Sequence, residues 1–466
     1  MNASIPRRPP RQRRAVFLAL VAIVLFAAAC WVKYIDIPYY TQETSYWCGA
    51  ASAQMVLDGD PMNKFVSQTT LYNYINPRNV CTSWASGPQG LTDALNHYKP
   101  SGYYFEVTAL SDQDEAVKKL AYTLDQYGVP PISLIYGCAH WVVVRGVITD
   151  VQPTANPSYT IYGFWVNDPW YGSTSLGESE YIDISDWKSS YYTGCTWCAR
   201  TGSRYISVVD PDPPPEVQII YPEVRQRRDN PLEKREILEL ATEYRLQFRS
   251  EPHSREQFSK ANEALDGTQL GEPLFVRRTD REQSGYFIVP MNRGELTSGA
   301  MRLDAYSGQL LGVTHTRRPI RYEADLRQDP ARDLFKRKLP TLEVRPEVLK
   351  KVRPDLERTS MSAALRPIRS PVRQPVVRPD TTRMSKVREF PTFDRLEIGA
   401  QDLRITRMEL VWQPSDESQN PYYPLWSVEG TVRGLDRSQV LGYVNPKGDV
   451  LSRLTPVSPL KGGGGW

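Results

Sequence analysis

Histidine is scarce in this chain, with four in 466 residues: His97, His140, His253 and His315. None of them falls in a zinc-peptidase motif, and neither a phosphate-cradling glycine loop nor an EF-hand pattern occurs. Metal-assisted hydrolysis, nucleotide chemistry and calcium binding therefore have no local support, and no cofactor and no metal are expected. Cysteine is also sparse, with six. Cys195 and Cys198 are spaced like half of a zinc site, but no second close pair of cysteines or histidines exists to complete four ligands. Long apolar runs are nearly absent, the exception being the uncharged stretch from Ala15 to Trp31.

That stretch marks a targeting segment over residues 1–31. Arg7, Arg8, Arg11, Arg13 and Arg14 precede it, and at 1.5 Å per residue it reaches about 25 Å, near the short limit for crossing a bilayer. Basic residues ahead of an apolar segment hold the N-terminus in the cytoplasm. Three readings stay open: an uncleaved anchor, a signal peptide cut near Ala27-Ala28-Ala29, and a lipoprotein modified at Cys30. All three place the remainder outside the cytoplasm, with the membrane as partner through this segment. Disulfides are the default there, and Cys81, Cys138, Cys195 and Cys198 form an even set with three pairings open.

The net charge of +4 is unevenly spread. Residues 31–215 carry 10 basic and 18 acidic side chains, whereas residues 216–466 carry 42 and 35. The main reading is a solvated surface plus a basic linker; the alternative is attraction to an anionic surface. A location beyond the membrane argues against a nucleic-acid partner.

The head, residues 34–209, reads as α+β. Helices are expected from Cys48 to Leu57, from Leu91 to Tyr98, and from Asp112 to Tyr127, the last capped by Ser111 or Asp112 and stopped by Gly128. Strands are expected at 131–136, 141–148, 159–166 and 205–209. The proline run of residues 210–215 is a stiff boundary. A small α+β module follows over 216–335, with helices at 232–248 and 255–265 and strands near 274–276, 285–290 and 300–304. Residues 336–394 read as a Pro/Arg-rich linker, 395–458 as a second α+β module, and 459–466 as a flexible tail. The two modules share a pattern: Pro273-Leu274-Phe275-Val276 precedes the glycine turn of residues 305–311, and Pro424-Leu425-Trp426-Ser427-Val428 precedes that of residues 445–451. In this they resemble the PepSY-type domains found beside secreted peptidases. A regulatory role toward the head is expected of them.

The chemistry-bearing residues are divided along the head. Gln42 closes Ile37-Pro38-Tyr39-Tyr40-Thr41, six residues before Cys48; His140 opens the apolar run Trp141-Val142-Val143-Val144; Asp168 follows Phe164-Trp165-Val166-Asn167. A cysteine at the first turn of a helix has unpaired N–H groups and the positive dipole end to favour its thiolate. His140 is the candidate base, and Asp168 its orienter in preference to Asn167, since neighbouring strand residues face opposite ways. Gln42 can donate to an oxyanion without adding charge. Gly49 is expected to leave room for a substrate carbonyl, and Trp47 and Trp141 to line the groove.

In these motifs, together with Val129-Pro130-Pro131-Ile132 and Val166-Asn167-Asp168-Pro169, the head resembles the papain-like cysteine peptidases, closest to the double-glycine (bacteriocin-processing) peptidases and their stand-alone extracytoplasmic relatives. The resemblance covers residues 36–209. It implies Cys48 as nucleophile, His140 as base, Asp168 as orienter, Gln42 as oxyanion donor, and a peptide or protein substrate. The membrane and nucleotide-binding domains of transporter-linked members have no counterpart in this chain. The alternatives are acyl transfer through the same thiol, and an inactive binding module on the same fold.

Overall fold

Small residues determine how the head is built. The segment Cys48-Gly49-Ala50-Ala51-Ser52-Ala53 has no bulky side chain, and such a helix can lie close against a sheet. The computed structural model describes residues 31–81, 84–154, 158–170, 176–196, 202–209, 218–250, 265–322, 326–338, 342–344, 394–396, 403–432 and 438–455. In it this segment begins α1 (Cys48–Asp58), whose residues Gly49 to Leu57 are all buried. Ser67 caps α2 (Gln68–Ile75) by accepting the Thr70 N–H. Gly87 and then Pro88 start α3 (Pro88–Tyr98). The Asp112 carboxylate accepts the N–H groups of Asp114 and Glu115 to begin α4 (Gln113–Tyr127), and Gly128 ends it in the left-handed region at φ 63°.

The head's strands are β1 (Trp31–Tyr34), β2 (Glu106–Leu110), β3 (Ile132–Ile135), β4 (His140–Thr149), β5 (Ser158–Asn167), β6 (Glu180–Asp183) and β7 (Ser203–Val209). They pair antiparallel in the order β2–β7–β3–β4–β5–β6, with β1 taking over from β3 along the far half of β4. β4 is buried along its whole length, which accounts for its continuous apolar sequence. Trp31, read as the end of the apolar leader, opens β1 instead. Cys138 and Cys195 form a disulfide with Cα atoms 5.6 Å apart, so Cys195 is not the start of a zinc site; Cys81 is also disulfide-bonded.

Beyond the head lie α5 (Lys234–Ser250) and a meander of β8 (Leu274–Arg278), β9 (Gly285–Arg293), β10 (Leu296–Asp304) and β11 (Leu310–Ile320). The meander extends the head's sheet, because β11 pairs with β6 through Gly312↔Ile182 and Val313↔Tyr181. The end of β12 (Leu403–Trp412) then joins β8 in parallel, Val276 opposite Leu410. By contacts, the chain up to Leu326 and the segment Leu410–Pro424 belong to one compact unit. A second unit comprises Arg327–Glu409 and Leu425–Leu454. It holds α6 (Gln328–Arg337), β13 (Leu425–Val432) and β14 (Gln439–Val444), packed around Phe335, Val428, Leu441 and Val444.

The glycine turns read in both modules each place a glycine at positive φ, but they differ in span by one residue. Gly308 at φ 70° donates its N–H to the Asp304 carbonyl, and Gly448 at φ 85° donates to the Asn445 carbonyl. Among the described residues no helix is long and apolar enough to cross a membrane. The leader through Cys30, the tail from 459, nearly all of the helix expected at 255–265, and most of the expected linker lie outside the described residues.

Candidate active site

Cys48 is the first residue of α1, half-buried and free of any disulfide. Trp47 supplies no side-chain cap and the first turn carries no acid. The first intrahelical bond runs from the Ala51 N–H to the Trp47 carbonyl at 2.9 Å. The N–H groups of Cys48, Gly49 and Ala50 thus have no carbonyl within the helix, and they favour negative charge at this end. The lack of a side chain on Gly49 has a packing cause. A Cβ there would fall 2.5 Å from the Ser86 Cβ and 3.2 Å from Trp141 Cδ1, so Ser86 and Trp141 fill the space expected for a substrate carbonyl.

His140 begins β4 opposite Ile135 and is wholly buried. Its Nε2–H donates to Asp168 Oδ1 at 2.7 Å. Nδ1 makes no aligned hydrogen bond, yet the Cys48 thiol is near enough to add to the ring's proton affinity. Such contacts are often loose before substrate binds. Burial alone would strip the ring of its proton. The Asp168 charge and hydrogen bond, followed by the Cys48 contributions, outweigh burial and raise the His140 pKa to about 10.

Asp168 is held on every side. Oδ1 also accepts the Trp170 N–H at 2.9 Å, its own N–H donates to the Gly177 carbonyl, and its carbonyl accepts the Tyr39 hydroxyl. Asn167 faces the other way, as strand alternation requires. Its Oδ1 accepts from Arg145 Nη1 at 3.2 Å and from the Ser179 N–H at 2.9 Å. The imidazole is therefore paired with Asp168 and not with Asn167.

The loop carrying Gln42 is tied to this turn, its N–H donating to the Pro169 carbonyl at 2.6 Å. Gln68 of α2 braces the same loop, accepting the Glu43 N–H and donating to the Thr41 carbonyl. Gln42 is 2% exposed, and neither its amide oxygen nor its amide nitrogen has a partner. A buried, unpartnered amide costs free energy, and such exceptions call for a reason. A donor reserved for a developing oxyanion supplies one. The two tryptophans expected in the groove differ. Trp47 stacks on Tyr72 at 5.0 Å, with Tyr46 edge-on to Tyr72, making an aromatic cluster that includes the residue before Cys48. Trp141 is buried, its indole N–H donating to the Ser86 carbonyl at 2.8 Å, so it packs beneath the helix.

Three residues without a local sequence signal complete the surroundings: Glu180, Arg302 and Asn420. Glu180 on β6 is fully buried. Burial lifts its carboxyl to about 7, with Arg302 opposing the rise and the Asp168 charge adding to it.

A free cysteine at a helix N-terminus, an imidazole bonded to a carboxylate, and an antiparallel sheet behind them make up the arrangement expected of a papain-like thiol site. Residues 34–197 match the Peptidase_C39 like family, a span that contains Gln42, Cys48, His140 and Asp168, and the head is accordingly a papain-like cysteine peptidase domain of the C39 type. Neither a curated protein nor a solved structure matches the chain.

Proposed function

We propose that the protein is an extracytoplasmic, membrane-tethered cysteine peptidase that hydrolyses peptide bonds through an acyl-enzyme. The observation that carries this reading is the His140 ring, bonded to Asp168 through Nε2 and near enough to a free Cys48 for the thiol to add to its proton affinity. Cys48 attacks the carbonyl carbon as thiolate, while its own N–H and the Gln42 amide hold the oxyanion. His140 gives its proton to the leaving amine, then takes one from the water that releases the acyl group. Acyl transfer to an amine or thiol would use the same intermediate. An inert binding module gains no support from the site, since Cys48 is not locked in a disulfide. The tether rests on the basic leader and its apolar stretch, and the Cys138–Cys195 bridge suits an oxidising compartment. The two rear modules are proposed as PepSY-like, on the strength of the strand-to-glycine-turn sequence pattern they share and the positive φ of both glycines.

Incubation of the full chain with a peptide library should yield new peptide termini, and prior treatment with iodoacetamide should prevent it. Gln42→Ala should lower kcat by about 10²–10³-fold with KM little changed, the scale set by loss of one oxyanion donor. Cleavage that survives complete Cys48 alkylation would remove this mechanism, and an unaltered kcat in Gln42→Ala would remove the oxyanion role.

A further inference from the structure

Asn420 lies 252 residues beyond Asp168 in the chain, well past the span matching the peptidase family, yet its side chain reaches that carboxylate. Its Nδ2 donates to Asp168 Oδ2 at 3.1 Å and, more loosely, to Glu180 Oε2 at 3.5 Å. The amide cannot be reversed without loss, because its Oδ1 accepts the Tyr422 N–H at 2.9 Å. Ser418 braces the turn by donating to the carbonyls of Asn420 and Tyr423. Asn420 is wholly buried, and Tyr423, three residues on, packs on Trp170, whose N–H holds the other oxygen of Asp168.

The placement supplies a donor where one is needed. Asp168 and Glu180 are both buried carboxylates, and buried polar oxygens require hydrogen-bond partners. Arg302 on β10 answers Glu180 at 3.3 Å and Asp186 at 3.1 Å, and the Tyr191 hydroxyl donates to Glu180 at 2.8 Å. None of those groups reaches Asp168 Oδ2. The other titratable groups that interact with Asp168 among the described residues are His140 from β4 and Tyr136 after β3, with Cys48 of α1 acting on His140 and Tyr422 close to Glu180 and Arg302.

We infer that Asn420 is a positioning residue for the thiol site: its donor fixes the Asp168 carboxylate in the orientation that meets His140, so the site is complete only with the C-terminal segment in place. The inference rests on the reading of Cys48, His140 and Asp168 as the reacting set. Its mechanism is loss or gain of one donor at one oxygen. Removing a donor from a buried carboxylate raises its proton affinity, and adding a third carboxylate raises it further.

The test uses the full chain with Asn420→Ala and the isosteric Asn420→Asp, the latter keeping the packing should the alanine variant fail to fold. Two quantities are followed from pH 4 to 9: the rate of Cys48 alkylation by iodoacetamide and the rate of peptide hydrolysis. The acid limb of both profiles should move upward by about one unit in Asn420→Ala and further in Asn420→Asp, so that the rate at pH 5 falls about tenfold while the rate at pH 8 falls less. A purely structural role would lower the melting temperature and leave the acid limb in place, and that result overturns the inference. If the unmodified chain cleaves no peptide but the variants still shift the alkylation limb, the peptidase reading fails and the positioning role stands. If it cleaves peptides and neither variant shifts the limb, the positioning role alone fails.

Discussion

Cys48→Ala should abolish peptide hydrolysis, a loss of about 10⁴-fold or more, while leaving the fold intact. The magnitude follows from removing a nucleophile for which no neighbouring group can substitute. Retention of the fold follows from position. Cys48 is half-buried and opens α1, so losing its sulfur leaves at most a shallow gap, and alanine is a good helix former. The comparison requires circular dichroism and melting curves for both proteins beside their peptide-cleavage rates. Hydrolysis persisting in the variant would move the nucleophile elsewhere.

Asp168→Asn should draw the alkaline limb of kcat/KM down from near pH 10 and cut activity at pH 8 by about 10²-fold or more. The charge of Asp168 is the largest of the influences raising the proton affinity of His140 against its burial. An asparagine can still accept the Nε2–H but offers no charge, and its amide nitrogen would meet the Asn420 donor. The same shift has a stability consequence. The folded pKa of His140 lies above its unfolded value of about 6.5, so binding this proton stabilises the fold fully below about pH 6.5. That contribution is lost as pH rises through about 10. The melting-temperature gap between the protein and Asp168→Asn should therefore be widest at mildly acid pH and close in strong alkali. An alkaline limb unmoved by the substitution would mean that Asp168 does not govern the imidazole.

The parts of this architecture that were legible in the sequence are those with local causes. Asp112 and Gly128 bracket α4 as cap and stop signals predict, and the apolar run after His140 forms a buried strand because both of its faces are covered. The start of α3 at Pro88, three residues ahead of the expected Leu91, carried a readable proline signal that hydrophobic spacing alone overlooked. α2 went unread since eight residues with three buried positions give little periodicity.

Within the candidate site, Cys48, His140 and Asp168 stand out through helix start, strand start and strand end. Nothing local marks Glu180, Arg302 or Asn420. A buried charge is tolerated because of partners that the fold brings from afar, and Arg302 lies 122 residues from the Glu180 it pairs with. Gly49 and Trp141 were read as facing substrate, whereas they pack against Ser86 and each other, a distinction that depends on a neighbour 37 residues away from Gly49. The rear modules were expected to regulate the head, whereas the contacts seen brace it: a chain ending at Val209 would lack Asn420 and Arg302 and would leave the outer edge of β6 without β11.

The central claim is that His140 activates Cys48, and the rate of Cys48 alkylation by iodoacetamide at neutral pH reads this directly. Mapped to the Cys48 peptide under non-reducing conditions, the rate in the unmodified chain should exceed that in His140→Ala by about tenfold or more. Equal rates in the two proteins, or a Cys48 that resists the reagent in both, would contradict the account.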